Sequence, residues 1–167
     1  DASEKLIAIA RQQHPNAAFI KADASAVPLP DGQFDDVFLI ATLHHIPSGQ
    51  LRQRVINEAY RLLDPGGRLL MTEWNLWSKQ WWPMLVHSVY NKIIKRSGLD
   101  WGDIMKPWKD SQGTIKGHRY LHPFTRGELT RLLRTAGFTN INHCITKKGH
   151  RAPWYRGYNI VTVAYRR

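Results

Sequence analysis

Residues 34–74, FDDVFLIATLHHIPSGQLRQRVINEAYRLLDPGGRLLMTEW, read as a complete strand–helix–strand unit. FDDVFLIATL (34–43) is a near-continuous apolar run, the pattern of a central parallel strand covered on both faces. After it, Leu51, Val55, Ile56, Ala59, Leu62 and Leu63 recur at helical spacing. Asp64-Pro65-Gly66-Gly67 stops that helix, because proline cannot continue it and glycine supplies a tight reversal. RLLMTEW (68–74) is then a second strand.

Upstream of this unit, Ser3 caps a helix over EKLIAIARQQ, with Leu6, Ile7 and Ala10 on one face. AAFIKAD (17–23) predicts a short buried strand ending in an acid, and AVPLPDGQ (26–33) a loop. The alternation of strands and helices indicates an α/β open sheet. Residues 75–122 break the rhythm and read as an inserted lid: an amphipathic, Trp-rich helix near 79–96, then a Gly/Pro/Lys-rich loop. A helix follows at 125–136, with Leu129, Leu132, Leu133 and Ala136 as its core face. FTNINHCIT (138–146) and GYNIVTVAY (157–165) form an antiparallel pair around a basic loop (147–156).

The 167 residues suffice for one domain with a buried core. They contain no apolar run of membrane-spanning length. The single cysteine, Cys144, leaves no internal disulfide framework and fits a reducing cytoplasm. Charge is uneven. Residues 1–105 carry 11 Lys/Arg and 11 Asp/Glu, whereas residues 106–167 carry 13 Lys/Arg against Asp110 and Glu128 alone. The whole net charge of +11 therefore sits in the last 62 residues, which suggests a surface for a polyanion. Lys147, Lys148, Arg151 and Arg156 surround Trp154 and Tyr155, cations interleaved with rings, which suits a single-stranded RNA loop such as an anticodon. His118 and His122 have i,i+4 spacing, but Pro123 and the lack of a glutamate between them argue against a metal site.

In open α/β sheets, ligands bind in the crevice at the carboxyl ends of the strands. The candidate residues lie there. Asp1 reads as the end of an upstream strand, where an acid can accept from both hydroxyls of a ribose. Asp23 ends the next strand and can accept from an adenine amino group. Ile40, Ala41 and Leu43 end the third and supply apolar walls.

The series D-A-S-x-x-L-I-x-x-A (1–10), F-x-x-A-D-A-x-x-V-P-L-P-D-G-x-F-D-D-V (19–37), T-L-H-H-I (42–46) and L-L-D-P-G-G-R-L-L (62–70) resembles class I S-adenosylmethionine-dependent methyltransferases. The resemblance implies Asp1 on the ribose, Asp23 and Ala24 at the adenine, and the segment Ile40–His44 beneath the cofactor, S-adenosyl-L-methionine. It also implies a Rossmann-like sheet with an antiparallel last strand. The first two strands and the glycine-rich turn of that fold have no counterpart in these residues. Residues 1–167 alone are therefore expected to fold and bind cofactor poorly. His44-His45, Trp74, Pro107-Trp108-Lys109 and R-Y-L-H-P-F-T-R-G-E-L (119–129) look more narrowly like the wobble-uridine tRNA methyltransferases, which esterify a carboxymethyl group in the anticodon loop. That likeness implies tRNA as partner, allows for a small activator subunit, and places Trp74 and Lys109 at the substrate.

Methyl transfer from a sulfonium is an in-line displacement, so the protein must align the groups and exclude water. A carboxylate acceptor is already ionised near pH 7 and needs no base. A pocket of His45, Arg119, Tyr120 and His122 would position it. A hydroxyl or ring-carbon acceptor would need a base, and His45 is then the candidate. Two other readings compete: a methyltransferase for a small or lipid-linked acceptor, favoured by the Trp-rich segment, and a non-catalytic RNA- or partner-binding module.

Overall fold

The computed structural model describes residues 1–94 and 98–167. Helix α1 (Glu4–Gln13) begins where Ser3 Oγ accepts from the Leu6 N–H, and it buries Ile7. Strand β1 (Phe34–Ile40) leads through a 3-10 turn (Leu43–His45) into α2 (Gly49–Leu62) and back along β2 (Leu63–Trp74). The two strands pair in parallel, as the strand–helix–strand reading requires. Gly67 admits no side chain: a Cβ there would lie 2.8 Å from the Asp64 carbonyl oxygen. Helix α3 (Trp82–Ile93) and the antiparallel hairpin β3 (Ile104–Lys109)–β4 (Ile115–Leu121) occupy the irregular stretch. Helix α4 (Arg126–Ala136) starts on a Thr125 cap and ends at Gly137 in the left-handed region, φ 104°. Strands β5 (Thr139–Lys147), β6 (His150–Arg151) and β7 (Asn159–Tyr165) complete a sheet of order β1-β2-β7-β5-β6, in which β7 runs antiparallel to both neighbours.

The main core lies between this sheet and helices α2 and α4, with Leu43, Ile56, Leu69, Met71, Phe124, Leu129 and Leu133 fully buried. A second cluster, Leu76, Trp81, Leu85, Ile104 and Leu121, joins α3 to the hairpin. Among the described residues no helix is long and apolar enough to cross a membrane.

Four expectations differ from the observed structure. Residues 17–23 form no strand: Ile20 is exposed, and the segment's contact with Asp1 is two backbone bonds, Asp1 N–H to the Ile20 carbonyl (3.2 Å) and Ala22 N–H to the Asp1 carbonyl (3.1 Å). A strand needs a longer ladder than that. Strand β1 is also not covered on both faces. Val37 and Leu39 pack on the core, but Phe38 and Ile40 are 58% and 56% exposed at the sheet's outer edge. The run also ends at Ile40, because Ala41 turns the chain with φ 51°. Finally, the expected loop before residue 122 is the β3–β4 hairpin, closed by Asp110, whose Oδ1 accepts from the N–H groups of Gln112 and Thr114, both at 2.9 Å. The predicted helix near 79–96 is a 3-10 turn (Lys79–Trp81) followed by α3, and its last two residues, 95–96, lie outside the described residues.

Candidate active site

The site grows from a buried acid. Glu73 falls in phase with Leu69 and Met71 on the inner face of β2 and is wholly buried. Burial of a carboxylate is tolerated only where its oxygens are hydrogen-bonded. Glu73 accepts from the backbone N–H of Leu43 (3.2 Å) and His44 (2.9 Å), and from His44 Nδ1. One side chain at the end of β2 thus fixes the turn that follows β1. Sequence reading passed over Glu73, although an acid in register with an apolar strand face is a signal that partners await it.

The hairpin is bolted to that turn. The His122 N–H donates to the His44 carbonyl (2.9 Å), and His45 Nδ1 reaches the Tyr120 carbonyl (3.2 Å). A carbonyl can only accept, so Nδ1 of His45 carries the proton and Nε2 presents a lone pair. Burial, the adjacent His44 and the Arg119 charge lower the His45 pKa, against the opposing pull of the Tyr120 carbonyl and Glu73. His45 is therefore neutral at pH 7, an acceptor or base rather than a cation.

Rings gather around it. The His44 and His45 centroids lie 4.3 Å apart, and Trp74 is 4.9 Å from His44 and 5.7 Å from His45. Trp81 stacks beyond Trp74 at 6.0 Å. Lys106 Nζ lies 5.7 Å from the Trp74 centroid and 4.8 Å from that of Trp81. Trp74, Trp81 and Lys106 share a hollow of about 160 Å³ with Gln80, Tyr158 and Asn159. Lys106 carries no signal in the sequence alone. It shows only once the hairpin pairs Lys106 with Arg119.

The expected acceptor pocket is divided. Tyr120 and Arg119 are neighbours on a strand, so their side chains leave opposite faces. The Tyr120 hydroxyl donates to Asp103 Oδ2 (2.7 Å) and accepts from Arg52 (3.1 Å). His122 is taken at both nitrogens, by Asp103 Oδ1 at 2.6 Å and by Glu128 at 2.9 Å. Burial works to lower the His122 pKa, but its bonds to Asp103 and Glu128 outweigh burial and raise it. Burial likewise works to raise that of Asp103, but the bonds from His122 and Tyr120 prevail and lower it. Tyr120 and His122 thus belong to a buried network with Arg52, while His45 and Arg119 stay on the ring side.

At the other end, Asp1 Oδ1 accepts from the Ser3 N–H (2.7 Å), and Asp23 Oδ1 accepts from the Ser25 N–H and hydroxyl, both at 2.7 Å. The Ser25 bonds hold the Asp23 carboxyl below its ordinary range, so it is ionised at neutral pH. Each acid keeps its second oxygen free of protein partners among the described residues, and Ala24 beside them is exposed. The Asp1–Ala22 bond sets the two acids on adjacent segments.

At the basic end, Asn75 Nδ2 donates to the carbonyls of Trp154 (2.5 Å) and Gly157 (3.0 Å), tying the 152–158 loop down. Lys147 Nζ lies 5.0 Å from the Tyr158 centroid, and Trp154 and Tyr155 meet edge-on at 5.8 Å. Lys109, Lys148, Arg151 and Trp154 are exposed, and Tyr155 is half-buried.

Residues 1–71 match the family model described as a methyltransferase domain. The chain is 28% identical over 161 residues to a tRNA (carboxymethyluridine(34)-5-O)-methyltransferase of Schizosaccharomyces pombe, covering 86% of this chain and 64% of that protein. It is 26% identical over 159 residues to a ubiquinone/menaquinone biosynthesis C-methyltransferase of Methylobacterium nodulans, covering 89% and 58%. The chain thus spans less than two thirds of the length of these relatives. A SAM-dependent methyltransferase from Methanosarcina mazei superposes over 99% of this chain and 79% of its own, with TM-score 0.73 at 22% identity. The 1,6-didemethyltoxoflavin-N1-methyltransferase of Burkholderia thailandensis, solved with S-adenosylhomocysteine, superposes over 98% of this chain and 56% of its own, with TM-score 0.55 at 18% identity. The match over residues 1–71 marks a methyltransferase domain sequence, and sheet order with these structural likenesses gives the chain the fold of class I S-adenosylmethionine-dependent methyltransferases.

Proposed function

We propose that the protein transfers a methyl group from S-adenosylmethionine to the carboxymethyl carboxylate of a modified wobble uridine in tRNA. The observation that carries the reading is the ring-lined hollow past the end of β2, with Lys106 in its wall, Arg119 paired opposite Lys106, and neutral His45 5.7 Å from the Trp74 ring. Bound cofactor supplies an electrophilic methyl on a sulfonium. Asp1 would accept from its ribose hydroxyls and Asp23 from its adenine amino group, with Ala24 alongside and Ile40, Ala41, Leu43 and His44 beneath. A carboxylate nucleophile needs no proton removed, so the protein's part is to orient it and exclude water. Likeness to the fission yeast enzyme and the basic final third support tRNA as the acceptor.

The test is an assay of the whole protein with methyl-labelled cofactor and total tRNA, followed by nucleoside analysis. Label in a carboxymethyl ester of uridine is the expected result. Label confined to small or lipid-linked molecules would establish the second reading, which the quinone-pathway relative and the exposed apolar face of α3 (Trp82, Val86, Tyr90, Ile93) favour. No label in either pool would leave a binding module.

For RNA, Lys147 and Lys148 would meet phosphates, and Arg151, Trp154 and Tyr155 unstacked bases, with Lys109 at the hairpin tip. Replacing Lys147 and Lys148 together by glutamine is expected to weaken tRNA binding. It should also flatten the slope of log affinity against log salt by about 1.4, since each phosphate neutralised on a single strand adds roughly 0.7 to that slope. An unchanged slope removes both lysines from the interface.

A further inference from the structure

On one face of the β3–β4 hairpin three rungs follow one another: Ile104 opposite Leu121, Lys106 opposite Arg119, and Trp108 opposite Gly117. The first rung is buried in the second core cluster. The last is open, with Trp108 46% exposed, and a Cβ added at Gly117 would meet nothing within 4 Å. The middle rung is the anomaly. Two cations directly opposite on one face of a strand pair repel. Neither Lys106 nor Arg119 makes an ion pair or hydrogen bond with a carboxylate among the described residues; each instead lies against indole rings. Arg61, by contrast, holds Glu58 and Asp31, and Arg68 holds Asp36. An uncompensated pair whose Lys106 lines a ring-walled hollow is arranged for an anion that the protein does not itself supply.

We infer that this hairpin face is the seat of the acceptor's anionic group, a carboxylate carried on a planar ring, with Lys106 and Arg119 holding the carboxylate and Trp108 beside the ring. The inference rests on the carboxylate-acceptor reading above and assigns Lys106, Arg119 and Trp108 their parts in it. Arg119 offers a planar fork that meets a carboxylate with two parallel bonds, and Lys106 adds a point charge from the opposite strand. The rung also faces the right way: Lys106 Nζ lies 5.7 Å from the Trp74 centroid, on the ring side, whereas the neighbouring Tyr120 faces Asp103 and Arg52. The open last rung leaves about 230 Å³ bounded by Trp108, Gly117, His118 and Arg119, room for a flat ring to enter edgewise.

Calorimetric titration of the whole protein with 5-carboxymethyluridine, its carboxamide and uridine 5′-monophosphate tests this without turnover. The carboxylate is expected to bind about tenfold or more tighter than the carboxamide, as charged hydrogen bonds warrant. The doubly substituted Lys106→Gln/Arg119→Gln protein should lose that preference, and Lys106→Arg should keep it. Equal binding of carboxylate and carboxamide, or a preference that survives the double substitution, would overturn the assignment. So would equal response to the monophosphate, which would make the pair a general phosphate contact. Failure to methylate tRNA with the carboxylate preference intact would count against the proposed activity and not against this seat.

Discussion

Replacing His122 by alanine is expected to lower the unfolding free energy of the whole protein by about 3–5 kcal/mol, the usual cost of breaking a buried ion pair from one side. Asp103 is 2% exposed and His122 7%, so water cannot substitute for the lost imidazolium. What remains is a buried carboxylate with the Tyr120 hydroxyl (2.7 Å) and the Asp100 N–H (3.1 Å) but, among the described residues, no cation in hydrogen-bonding contact. His122→Asn, whose amide nitrogen takes the place of Nδ1, should cost less. The effect also has a pH signature. The folded-state pKa of His122 is raised, so its stabilisation is complete below the ordinary histidine value, 6.5, and is lost as pH rises through the raised one. The folded-state pKa of Asp103 is lowered, so its contribution is complete above 3.8 and is lost as pH falls through the lowered value. Urea unfolding should therefore show the largest gap between wild type and His122→Ala in the mildly acidic window between those limits, narrowing toward pH 9. A gap of constant size from pH 5 to pH 9 would mean that His122 is not held as a cation.

That network shows where sequence reading succeeded and where it ran out. Helix α2 was legible because Val55, Ile56, Ala59 and Leu62 repeat at helical spacing and all of them are buried. Helix α4 was legible from its apolar face, Leu129, Leu132, Leu133 and Ala136, and β5 and β7 as an antiparallel pair around a basic loop. The β3–β4 hairpin was not, because Pro107 within a strand reads as a break. In a two-stranded hairpin both strands are edges, and a residue that cannot donate is tolerated there. Missing the hairpin meant missing its register. Without register, Arg119, Tyr120 and His122 looked like one pocket, whereas alternation sends Tyr120 away from Arg119 and Asp103 claims both Tyr120 and His122. Residues 17–23 failed for the opposite reason: local pattern announced a strand, but a strand exists only where another lies beside it. Pattern determines elements. Partners across the sheet determine which side chains meet.

Glu73→Ala should be the most damaging change on the ring side. Three donors, the N–H groups of Leu43 and His44 and the His44 Nδ1–H, converge on this one carboxylate in a fully buried place. Alanine strands all three. At roughly 1–3 kcal/mol for each buried group left unpaired, and with partial relaxation, a loss of about 3–5 kcal/mol follows. Glu73→Gln keeps one oxygen for the His44 donors but turns an amide N–H toward the Leu43 N–H, so about half that loss is expected. The turn also carries His45, which makes Glu73 a positioning residue for the site. Released from it, His45 and Trp74 no longer hold their 5.7 Å relation, and methyl transfer should fall about a hundredfold, the scale associated with an ångström of misplacement. The loss should appear mainly in kcat. One readout separates positioning from mere loss of stability. The negative charge of Glu73 raises the His45 pKa, so its removal should move the His45 imidazole titration, followed by NMR in the folded protein, to lower pH still. A His45 titration unmoved in folded Glu73→Gln would show that the acid and this histidine are not coupled through the turn.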